Sequence, residues 1–166
     1  VYMKVNDLLS QWWLMVPASL LSLSVFVAFA GDGPVKTIKV TGEFGDIRDS
    51  VKSAIEGKGI NIAHTLPAGD MLNRTGGDYG ITENVFQQAE ILEFCSARIS
   101  HQLSQANPEN IMLCPFAISI YVLADDPGQV YLSWRRPFDL GDEKSRAAVG
   151  QMVKLIEGVI TEATEW

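Results

Sequence analysis

Basic residues are scarce in this sequence: 13 lysines and arginines stand against 20 aspartates and glutamates, for a net charge of −7. A protein that neutralises a phosphate backbone needs a cationic surface, so nucleic acid is not an expected partner. Reactive side chains are scarce too. The 166 residues hold 2 cysteines and 2 histidines, with no CxxC, no CxxCH for covalent haem, no HExxH and no GxSxG. The motif-borne routes to dithiol redox chemistry, zinc hydrolysis and serine hydrolysis are therefore missing. The turn-rich stretch Pro67–Gly80 lacks the Lys-Ser/Thr of a phosphate loop and reads as a loop with at most one helical turn around Met71 and Leu72. Asp125 and Asp126 fall among turn residues rather than forming an acid–base pair. These absences lean away from an enzyme.

What is present begins with an uncharged, mostly apolar run from Trp12 to Ala30, WWLMVPASLLSLSVFVAFA. As a helix it extends about 28 Å, close to the hydrocarbon thickness of a bilayer. Its length and the paired Trp12 and Trp13 favour a retained anchor. Its end, Ala28-Phe29-Ala30 before Gly31, also fits the small-x-small pattern of a cleaved signal. Either way the remainder is expected outside the cytoplasm, in the periplasm of a bacterium. The chain divides into an anchor and linker over 1–33 and a folded domain over 34–166.

The domain reads as α+β, a mixed or antiparallel sheet with helices on one face. Alternation predicts a strand from Val35 to Phe44 with Ile38, Val40 and Phe44 inward. Asp46 is a candidate cap for a helix burying Ile47, Val51, Ala54 and Ile55, stopped by Gly57 and Gly59. A strand follows over Ile60–Leu66, in which His64 shares the parity of Ile60 and Ile62 and so points inward. A strand over Ala89–Phe94 leads to Ser96, a cap candidate for a helix over Ala97–Ala106 with Ile99, Leu103 and Ala106 on its apolar stripe and His101 in solvent. The longest strand signal, Ile111–Ala124, puts Met112, Cys114, Phe116, Ile118, Ile120 and Val122 on one parity. It pairs as a hairpin with Val130–Arg135, and a final helix over Asp142–Thr164 buries Ala148, Met152, Leu155, Ile156, Val159, Ile160 and Ala163. Thr37, Thr41, Tyr121, Tyr131 and Ser133 form a polar sheet face, either solvated or paired with a second copy.

Cys95 closes a strand at a helix N-terminus, where the dipole favours a thiolate. If its strand neighbours that of Cys114, the two sulfurs meet and bridge in an oxidising compartment. Otherwise they are two separate buried thiols. A sharper possibility joins His64, Cys95, Met112 and Cys114 in a haem or copper site, since soft sulfur and imidazole suit both.

The segments ILEFCSARISHQL, NPENIMLCPFAISIYVL, DDPGQVYLSWRRP and IAHTLPAGDML, in this spacing, resemble the domain-of-unknown-function 302 family over roughly Val35 to Trp166. The resemblance implies a compact α+β fold, often dimeric, with no settled activity. His64 falls where many relatives carry a histidine, without the Asp that precedes it in a common subgroup, and Phe94-Cys95 stands in place of that subgroup's Phe-Gly. The expected function is a non-catalytic domain tethered to the inner membrane, an accessory subunit or small-ligand binder with a protein partner or homodimer in view. The alternative is a redox protein using the Cys95 and Cys114 thiols or bound haem or copper.

Overall fold

The computed structural model describes residues 33–137 and 141–165. The apolar run at 12–30, and with it the expected anchor or signal, lies outside the described residues. Among the described residues no helix is long and apolar enough to cross a membrane.

Strict alternation writes the centre of the sheet. In β4 (Phe116–Leu123), Phe116, Ile118, Ile120 and Val122 are buried while Ala117, Ser119 and Tyr121 are half-buried. Opposite it, β5 (Val130–Arg135) turns Val130, Leu132 and Trp134 the same way, in register Val122↔Val130, Ile120↔Leu132 and Ile118↔Trp134. With β1 (Val35–Val40), β2 (Ile62–Leu66) and β3 (Phe86–Phe94) they form an antiparallel sheet in the order β1-β5-β4-β3-β2. The α+β class and the antiparallel sheet are as expected.

The apolar side of this sheet is covered by helices whose buried residues recur at helical spacing. Ile47, Val51 and Ile55 of α1 (Phe44–Gly57), Ile99 and Leu103 of α3 (Ala97–Ala106), and Met152, Ile156 and Val159 of α4 (Glu143–Thr164) join the inward strand residues in one core. Full burial of an aliphatic or aromatic side chain of this size contributes about 1.5–3 kcal/mol. The two largest fully buried members, Phe94 and Phe116, meet edge to face with centroids 5.9 Å apart. A helix α2 (Ala68–Thr75) lies beside β3, and 3-10 helices span Gly76–Tyr79 and Pro108–Leu113.

Five local expectations are corrected. The first strand ends at Val40, because Gly42 adopts φ 149° and turns the chain. Phe44 therefore opens α1, Glu43 takes the cap position, and Asp46 lies in the first helical turn. The stretch after Pro67 is an eight-residue helix rather than a loop. Gly69 allows it, since a Cβ there would sit 2.7 Å from the backbone nitrogen of Ala89 on β3. The strand expected from Ala89, placed there because a capped helix follows it, starts three residues earlier, at Phe86.

The fourth correction bears on the site. Met112 and Cys114 are not on a strand, because Asn107 accepts the Glu109 N–H at 3.0 Å and, with Pro108 behind it, starts the 3-10 helix that runs to Leu113. Cys114 follows it, joined to Pro115 by a cis peptide bond, and β4 begins at Phe116. The fifth concerns His64. The pairing of β2 with β3 runs Ile62↔Phe94 and then His64↔Glu93, so Ala63 is one residue too many. This bulge inverts the parity beyond Ile62. His64 is thereby placed with Glu93 on the side of the sheet away from the helices, and it is exposed.

Candidate functional site

The expected quartet separates. Register brings the cysteines near each other: Phe94 pairs with Phe116, Cys95 follows β3 directly, Cys114 lies two residues before β4, and the two are joined as a disulfide with Cα atoms 6.2 Å apart. The Ser100 hydroxyl of α3 donates to Cys114 Sγ at 3.6 Å. Met112, by contrast, is 80% exposed and lines an apolar cleft of about 340 Å³ with Leu113, Phe116, Met152 and Ile156. His64 lines neither that cleft nor the groove described next. No group of three or more His, Cys, Asp or Glu among the described residues is arranged to hold a metal ion.

On the Cys95 side lies a groove of about 890 Å³. Three chain segments form its walls. The turn after α1 contributes Lys58 and Asn61, the β3–α3 junction contributes Cys95, Ser96 and Arg98, and the outer side of α4 contributes Gln151 and Lys154. Glycines keep two of these approaches open: Gly59 takes φ 70° where the chain leaves α1, and Gly158 leaves α4 bare opposite Lys58.

The electrostatics of this groove oppose those of the chain as a whole. Lys58, Arg98 and Lys154 line it and no carboxylate does, in a protein of net charge −7. Lys58 is held by Glu162 at 2.6 Å, whereas Arg98 and Lys154 have no carboxylate within ion-pair distance among the described residues. The first amides of α3 add to this. Ser96 occupies the cap position with no side-chain hydrogen bond, and the first amide with a helical acceptor is that of Ser100, 2.8 Å from the Ser96 carbonyl. The N–H groups of Ala97, Arg98 and Ile99 are thus left for solvent or a ligand. Chemically the groove suits a small anion or an anionic organic molecule, with a sulfur in its wall.

The opposite side of the sheet is built differently. Tyr121 and Tyr131 stack with centroids 5.2 Å apart, and the Ser133 hydroxyl is shared between Thr37 at 2.8 Å and Tyr121 at 3.0 Å. The Tyr131 hydroxyl donates to Asp126 at 2.5 Å and Lys39 donates to it at 3.2 Å. These bonds, the tyrosine first, hold the Asp126 carboxyl below the usual carboxylate range. The polar groups around Tyr121 and Tyr131 are paired with one another, so this patch offers a ligand less than the groove does.

Lys58, Arg98 and Lys154 are the residues that sequence reasoning missed. They come from three separated elements, and each reads alone as a solvated surface charge. The one available signal was a basic residue two positions after an uncommitted cap, beside a cysteine. No curated protein matches the chain. A crystal structure of an uncharacterized conserved DUF302 protein from Bacillus stearothermophilus is similar over 78% of this chain and 98% of its own, with a TM-score of 0.65. At 13% identity that likeness is one of fold. The family model of Domain of unknown function DUF302 matches residues 36–163, most of the length, and the chain belongs to that family.

Proposed function

We propose that this chain is a non-catalytic domain, exported and tethered to the outer face of a bacterial inner membrane, that binds a small anionic ligand and serves as an accessory or sensing component. The tether rests on the apolar run at 12–30, and the binding rests on the groove at the start of α3. One observation carries the ligand class: Arg98 and Lys154, with no carboxylate in ion-pair distance among the described residues, line the groove beside the open amides of α3 in an otherwise acidic protein, with Lys58, itself paired to Glu162, at its edge. Helix amides and cations together favour carboxylate, phosphate or sulfate groups.

Calorimetric titration of the full-length chain with inorganic phosphate, sulfate and a dicarboxylate tests the ligand class. Saturable binding that is lost in the Arg98→Glu, Lys154→Glu double variant is the expected result. Equal behaviour of variant and parent would remove the reading. For the tether, detergent extracts should hold the full-length chain, and a chain recovered only in soluble form beginning near Gly31 would contradict it.

A second reading, a redox protein, is favoured by one observation: the Cys95–Cys114 disulfide borders the same groove. Haem or copper draws no support from the arrangement, since each cysteine is bound to the other and neither Met112 nor His64 lines the groove that Cys95 borders.

A further inference from the structure

Cys95 and Cys114 are not equivalent. Cys95 lines the cationic groove, with Arg98 and Lys154 around it, while Cys114 does not line it and lies under the Ser100 hydroxyl. Thiol–disulfide exchange requires an attacking sulfur to approach one sulfur of the bridge and expel the other, and its rate depends on access and on the stability of the departing thiolate. A ligand held in the groove reaches Cys95 and not Cys114, and the Ser100 hydroxyl offers the departing Cys114 sulfur a hydrogen bond.

We propose that the groove is a thiol–disulfide exchange site at which a small anionic thiol, one carrying carboxylate or phosphate groups, attacks Cys95 and expels Cys114. The proposal rests on the reading of the groove as an anion site and adds a covalent step to it. The incoming thiol loses its proton to solvent and its thiolate forms a new S–S bond to Cys95 Sγ. The Cys95–Cys114 bond breaks, its electron pair departs on Cys114 Sγ beside the Ser100 hydroxyl, and Cys114 then takes up a proton. A second equivalent of the same thiol attacks the ligand sulfur of the mixed disulfide and releases the small-molecule disulfide, leaving the Cys95 thiolate beside the open amides of α3. In sum two thiols are oxidised to one disulfide and the protein bridge is reduced to two thiols. The cations select the reductant, because a groove of one sign raises the local concentration of the opposite sign and with it the encounter rate. A structural bridge reached only through unfolding has no such preference.

The experiment uses the full-length chain and three thiols, glutathione (anionic), 2-mercaptoethanol (neutral) and cysteamine (cationic), each rate being divided by that thiol's thiolate fraction. At low salt glutathione is expected to react roughly tenfold or more faster than cysteamine, and the preference should fall toward unity in 0.5 M salt (about a 4 Å screening length) and in Lys154→Glu. Acid-quenched, alkylated samples of the unmutated protein should carry glutathione on Cys95 and the alkyl group on Cys114. Equal normalised rates for the three thiols, or glutathione mapped to Cys114, would overturn the proposal. S-methylglutathione, which binds but cannot exchange, separates the two levels. If it binds while exchange shows no charge preference, the covalent step is wrong and the anion site stands. If neither occurs, both are wrong.

Discussion

The two ends of α3 are finished in opposite ways. At its C-terminal end Asn110, fully buried, donates from Nδ2 to the Leu103 carbonyl at 2.9 Å and to the Ser145 hydroxyl at 2.8 Å. Ser145, also fully buried, gives its N–H to the Asp142 cap of α4 at 2.7 Å. That end is welded to its neighbour by polar groups away from water. The N-terminal end has no side-chain cap, opens on a groove, and is surrounded by cations. One helix thus shows both uses of terminal backbone groups: satisfied internally they give stability, and left open they give a place for a ligand. A protein selected for stability alone would cap both.

The sharpest way to break that contrast is through the bridge, the one feature of the open end that contributes strongly to stability. It closes a segment with a sequence separation of 19, so Cys95→Ser with Cys114→Ser should cost about 3 kcal/mol in urea unfolding. A loss near zero would mean that the strand ends are held together without it. Next in size is Asn110→Ala. It removes the donor to the buried Ser145 hydroxyl and one of two donors to the Leu103 carbonyl, which keeps the Asn107 N–H, at a cost of about 1–3 kcal/mol. Anion affinity measured at the other end should not move, and a parallel loss of both would show that the two ends are coupled.

Acid sharpens the closed end further. Hydrogen bonds from Ser145 hold the Asp142 carboxyl below its ordinary range. A carboxyl whose folded pKa is lowered contributes stability above the unfolded value, and that contribution is lost as pH falls through the folded one. Thermal unfolding across the acid range should therefore show a falling midpoint below the ordinary carboxylate range, with a shallower fall in Asp142→Asn. Asp126, held down by Tyr131 and Lys39, adds a fall of the same sign. The smallest expected effect on stability belongs to the open end. Lys154→Glu, on an exposed turn of α4, should change unfolding by no more than about 0.5 kcal/mol, yet weaken anion binding.

Most of the closed, apolar architecture was legible because burial follows a period. The α4 stripe from Ala148 to Ala163 and the facing sets of β4 and β5 appear where parity and the helical repeat put them, with Leu155 half-buried at the margin. Periodicity failed where a single residue resets it. Ala63 inserts a bulge and sends His64 to the other side of the sheet, and Asn107 with Pro108 turns an apolar run into a 3-10 helix that leaves Met112 in solvent. The bridge was legible as one of several outcomes, and the pairing of β3 with β4 brings its two ends near each other. The groove was not legible at all. Its cations are a surface constellation from three elements, brought together by tertiary packing that no local pattern encodes.

The central claim is that the start of α3 is an open anion site and the end of α3 is not. It is tested most directly by following the backbone amide resonances of the isotope-labelled chain during titration with S-methylglutathione. Saturable shifts at Ala97, Arg98 and Ile99, absent in the Arg98→Glu, Lys154→Glu variant and absent around Asn110 and Ser145, are the expected result. Shifts scattered over the surface, or centred on Tyr121 and Tyr131 across the sheet, would contradict it.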